Sequence, residues 1–454
     1  MRTVEAITEK RPVEASKPQQ FWGMETGEVK GGFFWLCAFY LVYCARPEDW
    51  IPGLGLIPLA KITGIIAFLA LLTSLGKTKR KFKDLPREWI YLVALVGVLS
   101  LSAVFSPIWR GGAIGHTLNF SKVLVAWVLT FLLVTNFDRL RRVIFIQSAS
   151  VVVICSVSLL KGWSQPRLEG VIGGIYSNPN DLAFAVVLTL PFCLAFMLTS
   201  KNVLMRMAWI VGMLIMALTL FKTASRAGFI DLVISGAVVL WHFGVRGKRL
   251  MLIAGTGFAA LVLLVAAGGP LMRRMEAVAG RGDSKEEAMA YESYEQRKYL
   301  MIRSVQCIAE YPILGVGQHN FMVYSGVWHD VHMTYLQIAA EGGIPALILY
   351  LLFFGRAFSN LRKMRRRTDL DVHTTLFVGG LHSSMIGFII GALFAPEAYQ
   401  FFPYFSVAYT SALVATIAER DRAAEPAVPG AARRQRFGDF RANHRKPEPV
   451  PIVH

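Results

Sequence analysis

An arginine and a histidine stand in two short polar segments between long apolar runs, and both side chains can do chemistry. Arg226 lies in Thr223-Ala-Ser-Arg-Ala-Gly228, and His332 lies in His329-Asp-Val-His-Met-Thr-Tyr335. Guanidinium groups bind phosphates in bidentate fashion, and an imidazole with a pKa of about 6.5 can remove a proton near neutral pH. Neighbouring cations also favour the neutral form of histidine. The combination predicts transfer from a diphosphate-activated donor to a hydroxyl or amine acceptor.

Five further polar side chains stand in neighbouring segments and are candidates for binding the same substrate. They are Arg167, Asn180, Arg297, Gln318 and Tyr335. Ionisable groups at membrane depth cost about 2.5–3.5 kcal/mol to insert, which makes them candidates for function. Glu341 follows His332 by nine residues, which is about 13 Å deeper on a helix that rises about 1.5 Å per residue.

Each of these residues also has a purely structural explanation. Arg226 could extend its guanidinium to lipid phosphates, and His332 could form a hydrogen bond at a helix end. Asn180 and Asp181 are good N-caps for the apolar run that follows them. The other arginines could be ordinary interfacial residues. It is the combination of several cations with one histidine that favours chemistry.

Motifs for metals and nucleotides are weak or absent from the sequence. His329 and His332 stand three residues apart and could contact zinc, but the HExxH spacing is missing and no third ligand is marked. Neither a Walker A sequence nor a GxSxG nucleophile elbow occurs. The five cysteines include no CxxC pair, so neither a disulfide framework nor a zinc site is supported. We therefore predict no metal and no cofactor.

The composition places these candidates in a membrane protein. The chain has 454 residues, of which 54% are hydrophobic and 17% are charged, whereas soluble domains carry about 25% charge. Apolar runs of about 20 residues recur, and each can cross about 30 Å of hydrocarbon as a helix. The net charge of +18 lies largely in short loops between these runs, which argues against nucleic acid as a partner. We predict an all-α polytopic transmembrane bundle that contacts membrane lipids.

Apolar windows bounded by charge, Pro or Gly predict about twelve spans. They are expected near residues 31–47, 55–76, 88–107, 118–136, 140–160, 180–199, 205–222, 226–244, 249–268, 331–355, 375–396 and 400–418. Lys and Arg are concentrated in the short loops of one side, which predicts that this side and both termini are cytoplasmic. We expect a cytoplasmic N-terminal segment (1–30), a transmembrane domain (31–418) and a disordered cytoplasmic tail (419–454).

A large polar segment, residues 269–330, separates spans nine and ten on the opposite, periplasmic side. Residues 286–309 lack Pro and Gly and carry tyrosines at roughly helical spacing, which predicts an amphipathic helix. Pro312 and Gly315-Val-Gly317 are expected to end it. This partly helical loop would fold over the membrane surface and close over the candidate site.

Three sequence stretches occur in a fixed order between residues 167 and 355. They are Arg167-Leu-Glu-Gly170 with Ser177-Asn-Pro-Asn-Asp-Leu-Ala183, then Thr223-Ala-Ser-Arg-Ala-Gly228, then Tyr294-Glu-Gln-Arg297 with Tyr311-Pro-Ile-Leu-Gly-Val-Gly317, Asn320-Phe321, His332-Met-Thr-Tyr-Leu336 and Glu341-Gly-Gly-Ile-Pro345. In content, order and position around the large loop they resemble the O-antigen ligase and O-antigen polymerase superfamily of bacterial inner-membrane proteins.

The resemblance implies a metal-independent, inverting glycosyltransferase that moves a glycan from undecaprenyl diphosphate to an acceptor hydroxyl, on lipid A-core or another glycan, at the periplasmic face. It implies that His332 is the base and that Arg226 contacts the diphosphate, with Arg167 or Arg297 assisting. Where the family usually has His-Asn, this chain has His332-Met333, which leaves the role of position 333 open. The motifs do not separate a ligase from a polymerase of repeat units.

A transporter of a small anion such as bicarbonate is an alternative from another class. Secondary transporters usually show internal repeats and interrupted helices at the midplane, and the sequence gives no sign of either. Lys61, His382 and Glu341 are the only titratable residues that we place deep in the spans, which would make a thin proton relay. The sequence therefore favours a transferase.

Overall fold

A computed structural model describes residues 30–74, 76–165, 167–168, 172–267, 269 and 284–424. The regular structure of these residues is helical, with no β-strand among them. The helices are α1 (Lys30–Ala45), α2 (Pro47–Trp50), α3 (Leu59–Ser74), α4 (Arg87–Val104), α5 (Arg110–Leu133), α6 (Phe137–Gly162), α7 (Pro179–Thr199), α8 (Val203–Thr223), α9 (Arg226–Val239), α10 (Leu250–Ala267), α11 (Ser284–Glu310), α12 (Phe321–Ser325), α13 (Thr334–Met364), α14 (Val372–Gly391) and α15 (Phe401–Ala424). A π-helical turn, Leu240–Val245, continues α9.

Nine helices in the described part of the chain are long and apolar enough to cross a membrane, which confirms the predicted all-α polytopic fold. They are α4 to α8, α9 with its π-helical turn, and α13 to α15. The predicted spans 31–47, 55–76 and 249–268 correspond to α1, α3 and α10, which do not meet the same criterion over their full length. The number of twelve spans therefore stays a prediction.

Two predicted helix starts differ from the structure for local reasons. The fourth span begins at Arg110 and not near residue 118, because the glycines of this stretch are helical and Gly112 packs under the ring of Trp109. The helix predicted from residue 180 begins at Pro179, so the N-cap is Asn178, whose side chain accepts a hydrogen bond from the backbone N–H of Asn180. The prediction that Asn180 or Asp181 is the cap was wrong.

Helix α7 lies at the centre of the bundle. Its sequence is apolar almost all round, and 89% of its best membrane-spanning window is buried inside the protein. A helix without a polar face is stable when neighbours cover every side, and α7 packs against α6, α8, α9 and α14. The start of this buried helix therefore has a fixed position, which matters because Asn178 and Asp181 stand there.

The large polar loop contains the predicted amphipathic helix, α11, which runs from Ser284 to Glu310 and ends before Pro312 as expected. The part of the loop before residue 284 lies almost entirely outside the described residues. Leu300 and Cys307 of α11 are buried in a small apolar core. The other members of that core are Val316, Phe321, Val331 and Ala340. The described part of the loop is thus packed onto α13 and not only laid over the membrane.

Helix α13 is interrupted at Gly343, where φ is 79° and ψ is 175°. Pro345 has no N–H to donate to the carbonyl of Glu341, four residues earlier, and the N–H of Ile344 turns to the carbonyl of Pro312 instead. An interrupted helix is therefore present, contrary to our expectation from the sequence. Its free carbonyls are bonded within the protein, as buried backbone groups require.

Backbone groups of the loop take the place of the missing helical donors. The N–H of Val316 donates to the carbonyl of Ala340 at 3.0 Å, and the N–H of Gly317 donates to the carbonyl of Glu341 at 2.9 Å. The hydroxyl of Ser102 on α4 donates to the Glu341 carbonyl as well, at 2.6 Å. The motif around residues 311–317 and the motif at 341–345 are thus two halves of one structural unit.

By its internal contacts the chain divides into residues 1–416 and residues 417–454. The described part of the second unit is the end of α15, which stops at Ala424. The predicted N-terminal segment and most of the predicted tail lie outside the described residues.

Replacing Gly343 with alanine should lower the stability of the protein. A Cβ at this position would lie 2.3 Å from the carbonyl oxygen of Ile313, and the backbone conformation itself costs about 1–3 kcal/mol for other residues. Gly355→Ala is the matched control on the same helix, since its Cβ meets nothing within 4 Å. Thermal unfolding in detergent should show a lower midpoint for Gly343→Ala only. Equal midpoints would contradict the role of the interruption.

Candidate active site

The segment before α9, which leads into Arg226, contacts two of the other predicted residues. Ser225 is the N-cap of α9 and accepts a hydrogen bond from the N–H of Gly228. Its hydroxyl also donates to the side-chain oxygen of Asn180 at 2.7 Å. The guanidinium of Arg167 donates to the backbone carbonyl of Thr223 at 3.0 Å. The structure therefore brings Arg167, Asn180 and the Arg226 segment together.

Arg226 is half-buried at the first position of α9. The N-terminus of a helix carries a partial positive charge and free N–H groups, which favour an anion. Arg226, Arg167 and the start of α9 thus form a cationic group, which we call the arginine cluster.

His332 lies in the described end of the large loop, just before α13 begins at Thr334. Burial, and to a smaller extent the positive charges of Arg297 and His329, lower its pKa to about 4. The residue is therefore neutral at neutral pH, as the sequence predicts for a histidine among cations. The same interaction shows that Arg297 of α11 lies near His332. The Nδ1 atom of His332 is buried and makes no hydrogen bond within the described part of the chain.

A cavity of about 370 Å³ opens beside this segment. Its walls include Gln318 and Asp330 from the large loop, Asp181 from the start of α7, and His116 from α5. Gln318 is 2% exposed, and its side-chain oxygen has no hydrogen-bond partner among the described residues. Asp330 precedes His332 by two residues, so the cavity and the histidine share one short stretch of chain.

Carboxyl groups come together beside the cavity. Glu397, between α14 and α15, is 2% exposed and interacts with Asp181, and a space for about one water lies between the residues around them. Burial and the charge of Asp181 raise the pKa of Glu397 well above its usual range. Asp231 of α9 interacts with Glu397 as well and is 1% exposed.

These carboxyl groups were not candidates in the sequence. Glu397 follows a predicted span directly, and Asp231 stands inside the predicted span 226–244. The statement that Lys61, His382 and Glu341 are the only deep titratable residues was therefore wrong. An acidic residue within an apolar run was the signal that could have identified Asp231.

Gln337 of α13 and Tyr399 of the segment before α15 also line the cavity. Burial and the carboxyl groups of Glu341 and Asp330 raise the pKa of Tyr399. The rings of His116 and His319 lie 4.1 Å apart. Burial lowers the pKa of His319, which keeps that imidazole neutral.

Thr334 fastens the histidine segment to the segment that carries Glu397. Its hydroxyl donates to the carbonyl of Ala395 at 2.7 Å and accepts a hydrogen bond from the N–H of Glu397 at 2.9 Å. Tyr335, a predicted substrate-binding residue, donates its hydroxyl to the carbonyl of Ile389 on α14 at 3.0 Å. That hydroxyl connects two helices in this structure.

The fold and the site together define a polytopic membrane protein in which a buried neutral histidine, a cationic helix start and a polar cavity occur in neighbouring segments. Residues 211–351, less than a third of the chain, match the family model described as O-antigen ligase. The match confirms the resemblance over the segment that holds Arg226, Arg297 and His332. No curated protein matches the chain. The match supports a ligase- or polymerase-type enzyme of the bacterial inner membrane that acts on lipid-linked glycans.

Removing the hydroxyl of Ser225 should weaken glycan transfer more than it weakens the fold. Ser225→Ala removes an N-cap, at a cost of about 1 kcal/mol, and also the bond to Asn180 that positions Arg226. Asn202→Ala removes the N-cap of α8, which is the matched control for cap loss alone. Glycan transfer should fall severalfold in the first variant only. Similar transfer by both variants would rule out the positioning role.

Proposed function

We propose that the chain is a glycosyltransferase that moves a glycan from undecaprenyl diphosphate to an acceptor hydroxyl on lipid A-core or a similar glycan. The reaction would take place at the periplasmic face of the inner membrane, with both termini in the cytoplasm, by an inverting mechanism that needs no metal. The observation that carries the proposal is the neutral state of His332, held by burial and by Arg297, within a segment that matches the O-antigen ligase family.

In this proposal His332 removes the proton from the acceptor hydroxyl as the oxygen attacks the anomeric carbon of the donor. The bond from that carbon to the diphosphate oxygen breaks, and the glycosidic bond forms on the opposite face of the sugar. The undecaprenyl diphosphate leaves with the bonding electrons. Arg226, with Arg167 or Arg297, would stabilise the charge that grows on the diphosphate.

The low pKa of His332 fits a base that gains strength when the donor binds. Arg297 lowers the pKa of His332, so a diphosphate bound to Arg297 would offset this positive charge. The pKa of His332 would then rise towards its usual range. A stronger base would be present only in the complex with the donor, which limits unproductive proton transfer in the empty enzyme.

A complementation experiment tests the proposed function. A deletion strain receives the wild type, His332→Ala, Arg226→Ala or the control His373→Ala, a half-buried histidine at the start of α14. His332→Ala and Arg226→Ala should abolish glycan transfer and leave membrane insertion intact, because the base or the diphosphate contact is missing. His373→Ala should transfer normally.

The products also separate the two activities of the superfamily. Loss of capped lipopolysaccharide with accumulation of long lipid-linked polymer identifies a ligase. Single repeat units on both lipid carriers identify a polymerase. Near-normal transfer by His332→Ala would refute the base assignment, and unchanged pools in the deletion strain itself would refute the transferase.

The pH dependence of kcat/KM tests the interaction between Arg297 and His332. The free enzyme has a pKa of about 4 for His332, so its activity should fall only as the pH approaches that value. Arg297→Gln removes a positive charge and raises the pKa, which should move the acid limb to higher pH; burial, the larger cause of the low pKa, should keep the limb below about 6.5. Arg297→Lys keeps the charge and should keep the limb low. An acid limb at the same pH in all three proteins would contradict the interaction.

A further inference from the structure

The cavity beside His332 differs in charge from the arginine cluster. None of the described residues that line it is a lysine or an arginine, and its acidic lining residues are Asp181 and Asp330. Its histidines, His116 and His319, lie against each other with tilted rings. The ammonium of Lys122 donates to the side-chain oxygen of Asn119 at 2.6 Å but does not itself line the cavity, so an anion such as a diphosphate meets no arginine or lysine on the described walls. The cavity is suited to a different part of the substrate.

One polar atom of the cavity wall lacks a hydrogen-bond partner that a ligand could supply. The side-chain oxygen of Gln318 is buried without a hydrogen bond within the described residues. Unpaired buried polar groups cost free energy that a hydroxyl-bearing ligand would recover. The amide of Gln337 and the carboxyl of Asp330 also line the cavity. Such convergent amides and carboxyls bind hydroxyl groups.

Aromatic rings provide the opposite kind of surface in the same cavity. Tyr43 and Phe401 stack with ring centroids 5.2 Å apart, and Phe120 meets Tyr399 edge-on at 5.2 Å. All four line the cavity. The C–H face of a sugar ring packs on aromatic rings, while its hydroxyl groups need polar partners. The volume of about 370 Å³ lies in the range of roughly 300–1,000 Å³ typical of small-molecule sites.

We propose that this cavity binds an uncharged pyranose of the glycan and rejects sugar acids. The inference rests on the proposed function, because it assigns the sugar part of that reaction to the cavity and the diphosphate to the arginines outside it. The pyranose belongs either to the lipid-linked donor or to the acceptor glycan. Both sources present the same chemistry to the walls.

The carboxyl groups of Asp181 and Asp330 set the specificity. Replacing the hydroxymethyl group of a hexose by a carboxylate would place a third negative charge beside them. Like charges at close range oppose binding, so a uronate would be excluded without any steric obstacle. An amino sugar, which carries no negative charge, would bind about as well as the neutral sugar.

Binding to the full-length protein in lipid nanodiscs tests the inference at pH 8 without any transfer reaction. Saturation-transfer NMR would use methyl glucopyranoside, methyl glucosaminide and methyl glucuronide as probes. The first two should bind. The glucuronide should bind at least about tenfold more weakly, because of like-charge repulsion. Asp330→Asn and Asp181→Asn should each reduce the difference in affinity between the glucoside and the glucuronide.

A variant that fills the cavity tests whether the saccharide binds there. Asn119 lines it from the exposed side of α5, so Asn119→Trp should fill it and abolish saccharide binding. Leu118→Trp is the control, since Leu118 is 63% exposed and does not line the cavity. Equal binding of glucoside and glucuronide to the wild type would overturn the inference. Absent saccharide binding, or normal binding by Asn119→Trp, would do the same.

Competition separates the two sources of the sugar. Farnesyl diphosphate, farnesyl-diphosphate-linked glucose and methyl glucopyranoside would be compared on the wild type. If the donor sugar occupies the cavity, the methyl glycoside should compete with the glucose-bearing diphosphate and not with farnesyl diphosphate. If the acceptor sugar occupies it, the glycoside and both diphosphates should bind together. Failure of transfer in the complementation experiment would leave these binding results unchanged, so the two proposals fail separately.

Discussion

Two hydrogen bonds between the large loop and the interrupted helix α13 determine where the site residues lie. The backbone N–H groups of Val316 and Gly317 donate to carbonyls that Pro345 and Gly343 deprive of helical partners. Buried carbonyls need a donor. Displacing the loop would therefore leave the carbonyls of Ala340 and Glu341 without these backbone donors. Gln318 follows this contact directly and is thereby fixed at the cavity.

The site separates most of its cations from its carboxyl groups. The start of α9 and the segment near Arg167 present arginines, whereas the start of α7 and the segment around Glu397 present carboxyl groups, which Asp231 further along α9 joins. Adjacent residues of α7 illustrate the division, because Asn180 bonds to Ser225 beside Arg226 while Asp181 lines the cavity. Opposite charges kept on separate walls can recognise the two chemically distinct ends of one lipid-linked glycan.

Hydropathy predicts the helices because apolar runs must be buried in lipid or protein whatever their neighbours are. Motif content likewise makes Arg226, Arg297 and His332 candidates, because they stand in polar segments between the apolar runs. The convergence of Asp181, Asp231 and Glu397 depends on which helices pack together, and no local pattern specifies that. Gly343 and Pro345 are residues that break a helix, but no local pattern shows that a loop about thirty residues earlier supplies the hydrogen-bond partners at the break.

The hydroxyl of Thr334 has a mechanical consequence. It bonds at once to the carbonyl of Ala395 and to the N–H of Glu397, while His332 stands two residues before it. A displacement of either segment therefore strains both hydrogen bonds of this one hydroxyl, which ties the position of His332 to that of the acidic segment.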